Sequence, residues 1–176
     1  MTAIPTKQDY EIRAGLAEVK AFDVVGISIV TDNSRATDDI NALWERFFSE
    51  SIGQQIPGKT DDTIYAVYSD YQGDHEAPYR LTIGYRVPSS KEDSTFKKDH
   101  SPAPLPFSDA NYVKCKAGEY AVMSAAGKQP KALLETWEAI WSSDLSRAYQ
   151  TDFEVYGPRF FEDGVNEVLI HVGVKR

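Results

Sequence analysis

The chain has 176 residues, enough for one domain with a substantial core, and its 41% hydrophobic and 26% charged content is ordinary for a soluble globular protein. A net charge of -8 and a pI near 4.9 argue against phosphate-backbone binding, which needs Lys and Arg to displace counterions, and favour cationic ligands. The single cysteine, Cys115, excludes an internal disulfide and suits a reducing cytoplasm, no charged-then-apolar leader opens the chain, and no apolar run approaches the roughly 20 residues that span a bilayer.

Residues 1–13 are polar. Leu16 to Thr31 holds apolar material, with Val24 to Val30 reading as a buried strand. Asp32-Asn33-Ser34 is turn chemistry, and Ser34 is placed to cap a helix over Ala36 to Ser51. Asp38 and Asp39 suit the positive end of that helix, and Ile40, Trp44, Phe47, Phe48 and Ile52 form its apolar stripe. Gly53 and Pro57-Gly58 end it. Thr63 to Tyr71 and Tyr79 to Val87 read as a strand pair rich in β-branched and aromatic residues. The stretch from Pro88 to Ala110, with Pro88, Pro102, Pro104 and Pro106, reads as a linker. Strands follow at Asn111 to Lys116 and Tyr120 to Ala125. A second helix opens with Pro130 in its first turn and runs to Ser143, and strands at Asp152 to Tyr156 and Asn166 to Lys175 close the chain.

The same phrase occurs twice in this order. Ile40-x-x-x-Trp44-x-x-Phe47-Phe48 returns as Leu133-x-x-x-Trp137-x-x-Ile140-Trp141 at an offset of 93 residues. Tyr65-Ala66-Val67-Tyr68 returns as Phe153-Glu154-Val155-Tyr156 at an offset of 88, and Leu81 to Val87 returns as Val168 to Val174 at an offset of 87. We therefore expect an α+β fold: duplicated strand–helix–strand–strand modules with extra edge pairing, mostly antiparallel sheet, both helices on one face and a pseudo-two-fold axis. The single domain divides into a first half of about 12–87, a linker 88–109 and a second half of about 110–175.

Where the halves align, Glu154 replaces Ala66. Strand alternation puts Glu154 and Tyr156 on one side, and Glu167, Leu169 and His171 together on a neighbouring strand. If Phe153 and Val155 pack under the second helix, Glu154 and Tyr156 point away from it, towards the seam. A buried carboxylate ringed by tyrosines attracts an organic cation through ring area, cation–π attraction and a desolvated charge. The ordinary alternative is a strand Glu that is solvated or paired with Lys or Arg. Among the strand tyrosines, Tyr65, Tyr68 and Tyr85 are pocket candidates beside Tyr156, against the alternative of core packing. Trp44 and Trp137 read as core; Trp141 can reach the seam. Asp70, Asp74, His75 and Glu76 crowd one loop without metal-ligand spacing, and His75, His100 and His171 form no ligand pattern. There is no phosphate-cradling glycine loop, and Lys97-Lys98 is too short for nucleic acid. No catalytic residue, metal or cofactor is expected.

The run Gly118-Glu119-Tyr120-Ala121-Val122, the helix with Thr136-Trp137-x-x-Ile140-Trp141, then Phe153-Glu154-Val155-Tyr156-Gly157-Pro158 and Glu167-Val168-Leu169-Ile170-x-Val172-x-Val174 resembles the gyrase-inhibitor-like (GyrI-like) effector-binding domain. That domain ends AraC-type and MerR-type multidrug-responsive transcription regulators. Ile64 to Tyr71 and Tyr79 to Val87 make the chain similar to stand-alone effector-binding proteins encoded by integron gene cassettes. The resemblance covers residues 12–176. It implies a drug groove between the halves and an aromatic cavity faced by Glu154 and Glu167 that accepts cationic lipophilic compounds. Leu169 stands where some relatives place a pocket tyrosine. About a dozen residues precede the domain, too few for a helix-turn-helix, so no direct operator binding is expected.

The expected function is stand-alone binding of an amphipathic, cationic organic ligand, in the cytoplasm and away from membranes, through Glu154, Tyr156, Glu167, Tyr65, Tyr68, Tyr85 and Trp141. The alternatives are a hydrolase of reactive drug-like electrophiles, with Glu154 orienting a water, and a gyrase-inhibitor-like module whose partner is a regulator or gyrase.

Overall fold

Runs of Val, Ile and Tyr at alternating positions draw most of the chain into strands, and two stripes of helical period supply the cover. A computed structural model describes residues 15–56, 58–73, 76–88, 110–128, 131–142, 146–161 and 166–175. Its elements are β1 (Gly15–Val19), β2 (Phe22–Thr31), α1 (Ala36–Ser49), β3 (Ile64–Ser69), β4 (Tyr79–Val87), β5 (Asn111–Cys115), β6 (Gly118–Ala125), α2 (Lys131–Trp141), β7 (Arg147–Tyr156) and β8 (Val168–Val174). The eight strands form one sheet in the order β1-β6-β8-β7-β3-β4-β2-β5, and every recorded pairing is antiparallel.

The duplication extends into the register. An offset of 96 residues carries Gly15 to Asn111 and Gly26 to Val122, and the sheet pairs Gly15 with Val122 and Asn111 with Gly26. Each repeat thus gives its first strand to the edge of the other. At the centre, β3 and β7 pair Ile64 with Tyr156, Ala66 with Glu154 and Tyr68 with Asp152. The offset of 88 maps Tyr68 onto Tyr156 and Ala66 onto Glu154, so the pseudo-two-fold passes beside the Ala66–Glu154 pair.

Both helices cover one face. Leu43 and Phe47 of α1 and Trp137 and Ile140 of α2 pack on Val25, Ile27, Ile64, Leu81, Ile83, Ile170 and Val172. The other face buries Phe22, Val24, Val67, Cys115, Tyr120 and Phe153 among themselves. Only Lys20 and Ala21 separate β1 from β2, which stand near opposite ends of the strand order, so the sheet curls, and β5 lies against β3 and β7.

Several local expectations are corrected. Asp32, not Ser34, organises the entry to α1: its carboxylate accepts hydrogen bonds from Ser34 N at 3.0 Å, Ser34 Oγ at 2.6 Å and Arg35 N at 3.2 Å. Helix α1 ends at Ser49, and Ser51 takes a left-handed conformation with φ 50° before a short 3₁₀ turn. The apolar material before Thr31 forms two strands, and β7 begins at Arg147 rather than Asp152. Phe153 and Val155 do not pack under α2. They face the sheet's other core, and Glu154 and Tyr156 turn towards the helices. The linker beyond Pro88, the acidic-histidine loop at Asp74-His75, Pro130, His100 and Lys97-Lys98 lie outside the described residues.

Candidate functional site

Glu154 stands in the middle strand pair opposite Ala66, whose single methyl leaves room above the sheet for a longer side chain. Glu154 is 2% exposed. Its Oε2 accepts hydrogen bonds from Trp137 Nε1 at 2.6 Å and Tyr68 Oη at 2.8 Å, and its Oε1 accepts one from Tyr156 Oη at 2.6 Å. All three donors are neutral, and among the described residues no basic side chain forms an ion pair with it. Burial raises the Glu154 carboxyl above its ordinary value, opposed by the bonds from Tyr156, Trp137 and Tyr68. Burial, reinforced by the Glu154 charge, holds both tyrosines well above the ordinary tyrosine value, so they stay protonated as donors.

Above this carboxylate a cavity of about 410 Å³ opens between the two helices, within the usual range for small-molecule sites. Ile40, Trp44 and Phe48 line it from α1, Leu133, Leu134 and Trp137 from α2, Ile64 and Tyr68 from β3, and Glu154 and Tyr156 from β7. Phe160 and Phe161, from a 3₁₀ turn after β7, complete it. The walls are aromatic: Trp44 meets Tyr156 edge-on at 5.0 Å, Tyr68 lies 5.3 Å from Trp137, and Phe160 meets Tyr156 at 4.9 Å. Phe48, Leu134 and Phe161 are exposed large apolar side chains that belong to this lining, so the apolar surface continues outward from the cavity.

Tyr68, Trp137 and Leu134 also wall a smaller adjoining chamber of about 70 Å³, with Tyr71, Tyr79, Trp141 and Arg147. Arg147 is buried. Its Nη2 donates to Asp152 Oδ2 at 2.7 Å, and its Nε and Nη1 have no hydrogen-bond partner among the described residues. Asp152 also accepts from Tyr71 Oη and from the Gly173 amide. Burial is the largest influence on Arg147 and opposes its charge, yet Asp152, Tyr71 and Tyr149 together hold the guanidinium above its ordinary value. A buried donor left unmet costs on the order of 1–3 kcal/mol.

Of the seven residues singled out from the sequence, Glu154, Tyr156 and Tyr68 share the large cavity, and Trp141 lines the chamber beside it. The other three are set apart. Tyr65 belongs to the opposite face, 5.5 Å from Phe22, because it alternates with Ala66. Glu167 falls on that same opposite side by alternation with Val168, and accepts a hydrogen bond from Ser124 Oγ at 2.5 Å. Tyr85 is on the helix face but stacks on Phe47 at 5.6 Å, beside a different cavity of about 280 Å³. Sequence reasoning assigned Trp44 and Trp137 to the core alone; their repeat-related positions on two helices that flank one axis were the signal. Nothing in the sequence singled out Arg147. Among the described residues no three His, Cys, Asp or Glu side chains gather as metal ligands, and no helix is long and apolar enough to cross a membrane.

The fold is shared with solved structures. The integron cassette protein VCH_CASS2, from the mobile metagenome of Vibrio cholerae, matches 96% of this chain and all of its own with a TM-score of 0.68 at 23% identity. SAV2435, solved bound to tetraphenylphosphonium, matches over 93% of this chain and 94% of its own with a TM-score of 0.69 at 17% identity. In sequence, YobU of Bacillus subtilis (strain 168), named as a candidate transcriptional regulator, is 27% identical over 166 residues, covering 90% of this chain and 94% of YobU. The family model Cass2 matches residues 15–174, and the chain therefore belongs to the integron-associated effector binding protein family.

Proposed function

We propose that this protein binds amphipathic organic cations in the cavity between α1 and α2, with Glu154 as the charge-selecting group. The observation that carries the reading is a fully buried carboxylate held by three neutral donors, with no basic side chain paired to it among the described residues. A buried charge without a counter-charge is costly, and a ligand cation removes that cost while its apolar groups cover Trp44, Tyr156 and Phe160. Affinity comes from aromatic burial at about 25 cal/mol per Å², less the costs of association, and selectivity comes from charge. Membership of an effector-binding family supports the reading, as does the lipophilic phosphonium held by a protein of the same fold. The three hydrogen bonds already engage both Glu154 oxygens, which weighs against their activating a water for hydrolysis.

Calorimetry with trimethyl(biphenyl-4-yl)ammonium and its neutral isostere 4-tert-butylbiphenyl tests this. Glu154→Gln keeps the shape and should weaken the cation by about 1–3 kcal/mol while leaving the isostere nearly unchanged. Equal loss for both would mean that Glu154 shapes the cavity without selecting charge. Unchanged binding of both would remove Glu154 from the site.

A further inference from the structure

Arg147 is more elaborate than its ion pair requires. One bond from Nη2 joins it to Asp152, whereas among the described residues Nε and Nη1 are buried without acceptors, on a residue that lines the small chamber. The guanidinium is packed among rings, 4.4 Å from Tyr149, 5.8 Å from Tyr71 and 5.9 Å from Trp137. The backbone is bent to put it there: β7 shifts register between Arg147 and Asp152, and Tyr149 adopts a left-handed φ of 53°, a conformation that a bulky side chain rarely takes. The chamber's 70 Å³ has room for a few waters or a carboxamide-sized group. It shares Tyr68, Trp137 and Leu134 with the large cavity. Trp137 stands between the two charges, its indole nitrogen on Glu154 and its ring beside Arg147.

We propose that Arg147 makes this chamber a second subsite, which takes an uncharged hydrogen-bond acceptor, such as a carboxamide, ketone or sulfone oxygen, carried by the same organic cation that sits over Glu154. The inference rests on the cation-binding reading of the large cavity and narrows its ligand class to cations with an acceptor arm about one indole away from the charge. The acceptor is uncharged because Asp152 already neutralises Arg147, and a second carboxylate in the chamber would be repelled by the first. A planar fork with spare donors suits an oxygen acceptor in a way that an ammonium does not.

The test titrates the protein with tetraphenylphosphonium and with derivatives bearing one meta or para carboxamide or carboxylate. At least one carboxamide should bind about tenfold more tightly than the parent, the gain of one hydrogen bond to a charged donor. Arg147→Lys, which keeps a charge opposite Asp152 but loses the fork, should abolish that advantage. Glu154→Gln should weaken parent and carboxamide alike and leave their ratio unchanged. If Arg147→Lys does not fold, the Arg147 Nε–H resonance of the unaltered protein reports instead: it should shift with the carboxamide and not with the parent. The subsite is overturned if no carboxamide exceeds the parent, if the advantage survives Arg147→Lys, if the resonance is indifferent to the carboxamide, or if a carboxylate binds more tightly than the carboxamide. If the parent binds and only the carboxamide gain is missing, the cation site stands alone. If no phosphonium binds, the cation reading falls and the subsite falls with it.

Discussion

Glu154 carries a raised pKa because burial penalises its charge more than Tyr156, Trp137 and Tyr68 relieve it. Two pH effects follow. A bound cation favours the ionised carboxylate, so binding at a pH near the raised value should release protons, and affinity should fall as pH falls through it. Calorimetry in buffers of different ionisation enthalpy measures that release, and Glu154→Gln should lack it. The stability effect has the opposite pH dependence. A carboxyl whose folded pKa lies above its unfolded value contributes fully at low pH, and its contribution is lost as pH rises through the folded pKa. Urea unfolding across a pH series should therefore show Glu154→Gln gaining on the unaltered protein as pH rises from the ordinary carboxylate range. The reverse trend would mean that the three hydrogen bonds outweigh desolvation.

At the scale of elements, side-chain sizes are matched across the central strand pair, where Glu154 takes the room that the Ala66 methyl leaves. Ala66 is buried directly opposite Glu154, so Ala66→Val should overpack the seam, costing about 1–3 kcal/mol and pushing the carboxylate from its donors. Gly26 and Gly84 face each other across β2 and β4, where a Cβ on Gly84 would stand 2.0 Å from the Val25 carbonyl oxygen. Backbone cannot yield as a side chain does, so Gly84→Ala should lower the urea midpoint more than Ala66→Val. A smaller effect would show that the strands can separate there. The apolar stripes of α1 and α2 were legible because Ile40, Trp44 and Phe47 and their counterparts Leu133, Trp137 and Ile140 keep helical spacing. Alternation along β7 was legible too, as the grouping of Glu154 with Tyr156. Which of its two faces meets the helices was not, because Phe153 and Val155 are as apolar as a helix-facing pair and the curled sheet offers them a second core.

Over the whole molecule, the exchange of β1 and β5 and the central β3–β7 ladder tie the repeats together. Neither repeat keeps its full sheet without the other, so unfolding should be one cooperative step. Trp44 reports on one repeat and Trp137 and Trp141 on the other. Fluorescence-detected unfolding of Trp44→Phe and of the double variant Trp137→Phe/Trp141→Phe should each coincide with its own far-UV circular dichroism transition. A fluorescence midpoint separated from that transition would show that the repeats unfold independently.

The sequence by itself determined the duplication, the two helices and most of the strands, because these follow from local period and from an internal copy that needs no distant contact to be seen. It also marked Glu154, since a charge replacing Ala66 in a repeated strand is visible without coordinates. Tertiary structure alone decided which neighbours Glu154 has. Tyr68 and Trp137 reach it from β3 and α2, while Tyr65 and Glu167 fall on the far face. The ion pair of Arg147 with Asp152 and the chamber beside it depend on a register shift in β7 and on packing between strands and helices. A one-residue change of phase in a strand exchanges its faces, and pairing register between distant segments sets that phase, not the composition of either segment.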